Sequence, residues 1–266
     1  SNASHIWHDL EMKQYLPTID QADAQSGMVA QLNEEIKEQE FSQTLGFLNL
    51  LNSLIACGIP NNLGEGYRAP GIAPYVKFVT ESIFEKHEQF VFKHSDEKWQ
   101  LLYFCLEIMY NLLQGYEPQL SDFVEKTIEI PNTTAKAFKV EPPPGCLILL
   151  RLLSSKQNKL CQILLNMISA GIQPINEERS NMYHGETYEK CILLALQIVN
   201  STLEKQEQFI TAAIQNQKGP TFQNFDLLIV EKAIQQIVPL LEYQHNNTVV
   251  LEVVNLINNV SKSFSQ

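Results

Sequence analysis

Residues 61–74 read Asn-Asn-Leu-Gly-Glu-Gly-Tyr-Arg-Ala-Pro-Gly-Ile-Ala-Pro. Five of these fourteen residues are glycine or proline. Glycine permits positive φ, and proline fixes φ and lacks an amide donor, so this density suits neither the interior of a helix nor that of a strand. Long segments with helical apolar spacing lie on both sides. We interpret the stretch as a rigid elbow between two helices.

The N-terminal flank of the elbow has two helical patterns, which predict two helices or one bent helix. The first consists of Met28, Val29, Leu32 and Ile36, and the second of Phe41, Leu45, Leu48, Leu51, Leu54 and Ile55. Glu34, Glu35, Lys37 and Glu38 are expected on the solvated face of the first pattern. Gly58 and then Pro60 predict the end of the second.

The C-terminal flank begins with Pro74, which suits the first turn of a helix because its missing amide costs no hydrogen bond there. The expected buried stripe is Tyr75, Phe78, Val79, Ser82 and Ile83. Ser95 is the expected N-cap of the next and strongest helix, which ends at Gly115. Its apolar face holds Trp99, Leu102, Tyr103, Leu106, Met109, Tyr110 and Leu113. A short helix follows from Pro118 to Val124.

Residues 127–145 break the helical rhythm and end in three consecutive prolines. This composition predicts an exposed insertion, irregular or a small hairpin. Beyond it, the pattern predicts a helical pair at 146–153 and 160–170, a loop at 172–183, and a helix from Tyr188 to Leu203 or further. A last pair, 225–243 and 247–264, is expected to meet at a tight turn capped by Asn247 or Thr248.

These patterns add up to about ten helices and an all-α fold. We predict an α-solenoid of divergent HEAT/ARM-like antiparallel helix pairs that spans residues 26–266 as one segment, with the insertion near 127–145. Residues 4–25 are expected to form an irregular N-terminal segment, and residues 1–3 look like an expression-tag remnant. The sequence reads as an internal piece of a longer protein.

Composition excludes several functional classes. The chain of 266 residues is 44% hydrophobic and 18% charged, as expected of a folded protein. Its net charge is −11 with only three arginines, which argues against direct nucleic-acid binding. The longest charge-free run, 41–63, contains too many polar residues for a transmembrane segment. Five widely spaced cysteines are expected to be reduced core residues of a cytosolic or nuclear protein.

No catalytic, cofactor-binding or metal-binding residues emerge, so we do not expect an enzyme or a small-molecule substrate. The six histidines lack partners at ligand spacing, and the elbow has no P-loop lysine. Glu107 is expected on a solvated face or in an ion pair, and Met109 and Met167 in the core. Arg68 is the exception, because it could tie the elbow to a neighbouring helix. We predict that Arg68→Ala lowers the melting temperature, and an unchanged value would contradict this role.

Two stretches also resemble the large scaffold nucleoporins of the inner ring of the nuclear pore complex. They are Asn62-Leu63-Gly64-x-Gly66-x-Arg68-x-Pro70-Gly71-x-x-Pro74-Tyr75-x-x-Phe78 and, within 97–123, Glu97-Lys98-Trp99 and Tyr116-Glu117-Pro118-Gln119-Leu120-x-Asp122-Phe123. The similarity covers residues 41–217 with gaps.

This resemblance implies an interior fragment of a long α-solenoid at the nuclear envelope. Such proteins are structural constituents of the pore that support its assembly and nucleocytoplasmic transport, including transport of proteins and mRNA. They hold other nucleoporins through short amphipathic segments of linker nucleoporins. No family binding residue falls on a transferable motif, so the binding residues stay unknown.

Two other functions remain open. A transport receptor or an armadillo/HEAT-type adaptor would bind peptide or protein cargo, but the regular asparagine or tryptophan ladder of such solenoids is absent from the sequence. An all-α enzyme would require a buried cluster of carboxylates or histidines with perturbed pKa values. Which surface binds partners, the oligomeric state and the place of the segment in its parent protein are not predicted.

Overall fold

In a computed structural model, the chain folds almost entirely into helices. The structure describes residues 2–13, 15–16, 27–60, 63, 71–124, 127–128, 138–139, 142–156, 159–182, 185–216 and 221–264. The α-helices are α1 Asn2–Met12, α2 Gly27–Glu38, α3 Ser42–Ala56, α4 Ala73–Lys77, α5 Ser95–Gln114, α6 Pro144–Leu153, α7 Lys159–Ser169, α8 Ile172–Arg179, α9 Gly185–Gln215, α10 Phe225–Lys232, α11 Ile234–Ile237 and α12 Asn247–Ser263. A π-helical segment spans Phe78–Ile83, and 3-10 segments span Phe84–Gln89, Leu120–Phe123 and Val238–Glu242.

The helices pack in two rows with the hydrophobic core between them. Helices α3, α5, α9 and α12 lie side by side in that order, and α2 packs on α3 at one end. The second row contains α4 and the segments that follow it, then α6 and α7, then α10 and α11. Each helix mainly contacts its neighbours in the rows, as in a solenoid. The predicted all-α solenoid class is confirmed.

The N-terminal segment is helical where the sequence predicted irregular chain. Helix α1 buries Trp7 and Leu10. The Trp7 ring packs edge-on against Tyr75 at 5.3 Å, and its Nε1 donates to the carbonyl of Gly58 at 3.3 Å. The prediction for residues 4–12 is therefore wrong, because these contacts with distant residues stabilise a helix whose own polar sequence indicates none. Residues 14 and 17–25 of the predicted segment lie outside the described residues.

The chain forms two helices, rather than one bent helix, between Gly27 and Ala56. They separate at Gln39, whose φ is 62°. Helix α3 has Phe41 in its N-cap position and no side-chain cap of its own. The carboxylate of Glu35 on α2 caps α3 instead, because it accepts hydrogen bonds from the backbone amides of Gln43 and Thr44. The prediction of a solvated Glu35 is wrong, because the first amides of a buried helix need acceptors.

Of the 61–74 elbow, residues 63 and 71–74 are described. Gly58 ends the preceding helix with φ +102°, and Gly71 has φ +40°, which confirms the use of glycine at these turns. Helix α4 has Pro74 in its first turn, as predicted. Of the predicted stripe, Tyr75, Phe78, Val79 and Ile83 are buried and Ser82 is only half-buried. Residues 61–62 and 64–70, and with them the Arg68 prediction, lie outside the described residues.

The insertion near 127–145 contains a small antiparallel hairpin. Strand β1, Thr127–Ile128, pairs with strand β2, Phe138–Lys139, so that Thr127 faces Lys139 and Ile128 faces Phe138. This confirms the hairpin alternative. Residues 125–126, 129–137 and 140–141 lie outside the described residues.

The bounds and caps of three helices correct further predictions. The predicted loop 172–183 contains α8, which buries Ile175 and has Pro174 in its first turn, where a missing amide is tolerated. The last helix is capped by the side chain of Asn246, which accepts the amide of Thr248, and not by Asn247 or Thr248. Helix α5 begins at Ser95, so its N-cap position is His94. Cap positions depend on local backbone geometry, which helical periodicity does not determine.

Arg151 on α6 ties together the second row. Its two terminal nitrogens bind the carboxylates of Glu81 in the π-helical segment and Glu85 in the following 3-10 segment. The guanidinium is largely buried and forks between two acceptors, which suits arginine better than lysine. The contact fixes α6 against a segment that is about 70 residues earlier in the chain.

Candidate interaction surface

The histidines do not assemble a catalytic or metal site within the described residues. His5 and His8 are exposed on α1, His94 and His245 are exposed elsewhere in the chain, and His184 lies outside the described residues. His87 is buried, and its Nδ1 lies 2.6 Å from the carbonyl oxygen of Phe84. Burial lowers the pKa of His87, which favours the neutral ring of a core residue. No group of three or more metal-ligating side chains occurs in this part of the chain.

Four of the five cysteines are buried and carry no reactive thiolate. Burial raises the pKa of both Cys146 and Cys161 to about 11, and it also raises the pKa of Cys105 and Cys191. These four confirm the predicted role as core residues. Cys57 is exposed, so the prediction that it is a core residue is wrong.

Asparagine–glutamate pairs link neighbouring helices of the first row. On α3, Asn52 Nδ2 donates to Glu107 Oε2 on α5 at 2.9 Å and to the carbonyl of Phe104. On α9, Asn200 Nδ2 donates in the same way to Glu252 Oε2 on α12 at 2.7 Å and to the carbonyl of Glu252. Glu107 is therefore a structural acceptor.

A groove of about 950 Å³ opens beside the C-terminal third of α9. Leu203, Ile210 and Ile214 line it at helical spacing, and Phe222 lines it from the segment that precedes α10. Ile214 is 63% exposed, whereas Ile210 and Phe222 are partly exposed. The opposite wall is the C-terminal end of α12, with Asn259, Lys262 and Ser263. The groove thus runs along α9, whose lining side chains include three aliphatic ones among the polar Glu204, Gln206, Glu207 and Thr211.

The walls of the groove are held in place by hydrogen bonds. Buried Asp226, at the start of α10, accepts from Gln206 Nε2 on α9 at 2.5 Å and from Ser263 Oγ on α12 at 2.8 Å. The segment with Phe222 is fixed to α6, because Gln223 donates its backbone amide to Leu153 and its side-chain amide to the carbonyl of Leu152. The groove is therefore preformed from three helices and one anchored loop.

The charges at the groove have opposite signs on its two sides. Glu204 and Glu207 are exposed on α9, and Lys262 is exposed on α12. Glu204 accepts one long hydrogen bond from Asn259 at 3.4 Å. Glu207 and Lys262 form no hydrogen bond or ion pair within the described part of the chain. The sequence interpretation named no binding residue. The signal it missed is the alternation of Leu203, Ile210 and Ile214 with these glutamates.

A second apolar surface lies at the C-terminal end of the rows. We call it the C-terminal edge; it consists of Leu227, Val230, Val238, Leu241, Leu251 and Val254. These side chains are between 36% and 55% exposed, and they belong to consecutive elements that pack on one another. The exposed positions of α12 before Lys262 carry no charge. Among the described residues, no helix is both long enough and apolar enough to cross a membrane.

Comparison with known proteins gives a consistent family match. The model of the family described as "Nuclear pore complex scaffold, nucleoporins 186/192/205" matches residues 1–265. The chain is 31% identical over 212 residues to nuclear pore complex protein Nup205 of Homo sapiens, which covers 78% of this chain and 10% of that protein. It is 30% identical over 211 residues to Nup205 of Drosophila melanogaster, covering 78% of this chain and 9% of that protein.

A plant relative extends the match. The chain is 27% identical over 255 residues to NUP205 of Arabidopsis thaliana, which covers 90% of this chain and 12% of that protein. The chain thus spans about a tenth of the length of these relatives. The match along nearly all of its length confirms the family resemblance of the two sequence motifs. The chain belongs to the nuclear pore complex scaffold family of nucleoporins 186, 192 and 205, a structural and non-enzymatic family that resides at the nuclear envelope.

Proposed function

We propose that this chain is a scaffold segment of the inner ring that supports pore assembly and nucleocytoplasmic transport by binding other nucleoporins. The contacts are made with short amphipathic segments of linker nucleoporins. The observation that carries the proposal is the family match over residues 1–265. The two rows of helices support it, because stacked helices present long surfaces of the kind that solenoids use for binding.

The surface chemistry also supports a binding role. Buried charged and polar side chains such as Glu35, Asn52 and Asp226 serve contacts between helices, within the residues that the structure describes. The surface that is open to solvent includes a preformed groove and the apolar side chains of the C-terminal edge. Exposed apolar surface of this kind is typical of proteins that bind other proteins.

A pull-down with short linker-nucleoporin segments tests the proposal. The 266-residue chain is immobilised and incubated with synthetic peptides that cover the linkers, and scrambled peptides of equal composition serve as controls. Selective retention of one or more segments is the expected result. In cells, the full-length parent protein is expected at the nuclear rim. Retention of no segment, or a parent protein that does not enrich at the rim, would overturn the proposal.

A further inference from the structure

We propose that the groove along α9 is a docking site for one amphipathic helix whose polar face is basic on the side next to α9. This inference rests on the proposed function and names the site and the chemistry of the partner. The groove follows α9 from Leu203 to Ile214, which is about 16 Å along the helix axis. Three helical turns fit this length. The elongated shape favours a peptide segment over a compact small molecule.

The aliphatic side chains of the groove match one face of a helix. Leu203, Ile210 and Ile214 have the spacing i, i+7, i+11, so they form one stripe on α9, in which Leu203 is already buried and Ile210 and Ile214 carry the exposed apolar surface. Phe222 extends this stripe from the side of the loop, and its ring contacts Phe209 edge-on at 6.0 Å. A partner helix with aliphatic residues at i, i+4, i+7 and i+11 buries such a stripe in the helix-in-groove mode. Ile214, at 63% exposure, has the most surface to lose on binding.

The charges give the partner its orientation. Glu204 and Glu207 stand on the α9 side, and Glu207 has no partner in the described part of the chain. A Lys or Arg of the partner helix meets these carboxylates, whereas an acidic residue on its opposite flank meets Lys262. The net charge of −11 adds a field over the whole chain that attracts a basic segment.

The groove exists before binding, which lowers the cost of association. Asp226 joins α9, α10 and α12 through Gln206 and Ser263, and Gln223 anchors the loop to α6. Binding of a partner therefore carries no additional free-energy cost for opening the site.

Fluorescence anisotropy with designed peptides tests this inference on the 266-residue chain. The first probe is a labelled peptide of about sixteen residues with leucines at i, i+4, i+7 and i+11 and lysines on one flank. The second replaces the lysines with glutamates, and the third scrambles the leucines around the helix. We expect the basic amphipathic peptide to bind tightest and the scrambled peptide to bind weakest.

Two variants locate the site. Ile214→Asp is expected to weaken binding of the basic peptide by about tenfold or more, since it places a charge in the apolar stripe. Glu207→Lys is expected to weaken the basic peptide and to strengthen the acidic one, about threefold each. Leu251→Asp, on the C-terminal edge, is the matched control because Leu251 is also more than half exposed, and it should leave binding unchanged. Circular dichroism spectra that superimpose establish that each variant is folded.

Several results would overturn the inference: binding of no peptide, equal affinity of the wild type and Ile214→Asp, or equal affinity for the basic and acidic peptides. These failures differ from failure of the proposed function. If Ile214→Asp loses the designed peptide while linker segments still bind, the groove inference holds and the linkers use another surface. If the groove fails and linker segments are still retained, the proposed function stands alone.

Discussion

At the scale of single residues, buried or partly buried carboxylates connect separate helices. Glu35 caps α3 from α2, Asp226 joins α9 to α12, and Glu189 joins α8 and α9 to the turn before α12. Each carboxylate accepts at least two hydrogen bonds, as burial of a charge requires. A glutamate on a solvated helix face and a glutamate that accepts hydrogen bonds inside the fold look alike in sequence, because both lie between apolar residues.

Removal of the Glu35 carboxylate is expected to destabilise the fold. Glu35 is 2% exposed and accepts the amides of Gln43 at 2.6 Å and Thr44 at 3.0 Å. Glu35→Ala leaves buried donors unpaired and should lower the free energy of unfolding by about 2–4 kcal/mol, measured by urea denaturation. Glu34→Gln is the control, because Glu34 only pairs with Lys37 on the surface. Equal stability of the Glu35 variant and the wild type would contradict the capping role.

Glu189 is expected to make stability depend on acid pH. Burial alone would raise the pKa of Glu189, but hydrogen bonds from Tyr243 and Asn246 and the charge of Arg179 lower it on balance. A carboxyl with a lowered folded-state pKa stabilises the fold above its unfolded pKa, 4.5, and this contribution is lost as pH falls through the folded value.

The test compares Glu189→Gln with the wild type by urea denaturation from about pH 7 to about pH 3. The variant should be less stable by about 1–2 kcal/mol near pH 7, and the difference should shrink as pH falls below 4.5. Glu186→Gln, an exposed position on the same helix, controls for the change in net charge. A stability difference that is constant across this pH range would rule out the linkage.

At the scale of elements, the predictions of where helices end differ in outcome from one helix junction to the next. The helix stop at Gly58 was predicted, and Gly58 has a positive φ. Gly171, which follows the predicted helix 160–170, has a positive φ as well. The junction of α8 and α9 was not predicted. A Cβ on Gly185, the first residue of α9, would lie 2.5 Å from the carbonyl oxygen of Glu178 and 2.8 Å from that of Arg179. Glycine at this position therefore allows α8 to pack closely on α9.

Two glycine-to-alanine variants should change stability in opposite directions. Gly185→Ala forces backbone atoms of α8 away and is expected to cost about 2 kcal/mol or more. Gly46→Ala lies within α3, where a Cβ meets no atom within 4 Å of its position, and it should stabilise the fold by about 0.5–1 kcal/mol. Melting curves of both variants and the wild type give the comparison. Destabilisation by Gly46→Ala, or none by Gly185→Ala, would contradict this packing.

At the scale of the whole molecule, the two ends of the rows differ. Helix α2, at one end, exposes Asn33, Glu34, Lys37 and Glu38. The C-terminal edge, at the other end, exposes six aliphatic side chains. A polar outer face is typical of a solenoid end in water, whereas an apolar face is typical of a surface that contacts protein.

Polar substitutions on the C-terminal edge should therefore alter association and not stability. The triple variant Val238→Thr, Leu251→Ser and Val254→Thr is expected to keep the free energy of unfolding within about 1.5 kcal/mol of the wild type. Light scattering should show less self-association at high protein concentration. Leu256→Ser, at a fully buried position of α12, is the matched control and should cost about 3 kcal/mol. If the triple variant scatters light as the wild type does, the C-terminal edge does not mediate self-association.

The sequence alone determined the features that depend on local pattern. Apolar spacing predicted the helices around Leu48, Leu106 and Ile198, glycine and proline predicted where several of them end, and two motifs indicated the family. Helical periodicity is encoded within a few turns, so a sequence shows it directly.

Only the tertiary structure decided the features that depend on partners far along the chain. Trp7 stabilises α1 through Gly58 and Tyr75, and the Asn52–Glu107 pair joins residues on α3 and α5. The groove needs α9, α12 and the anchored loop together, so neither Ile214 nor Glu207 is recognisable as a site residue on its own helix. The physical reason is that the burial of a side chain and its hydrogen-bond partners depend on how the helices pack. The sequence of a single helix does not show which other helix will supply them.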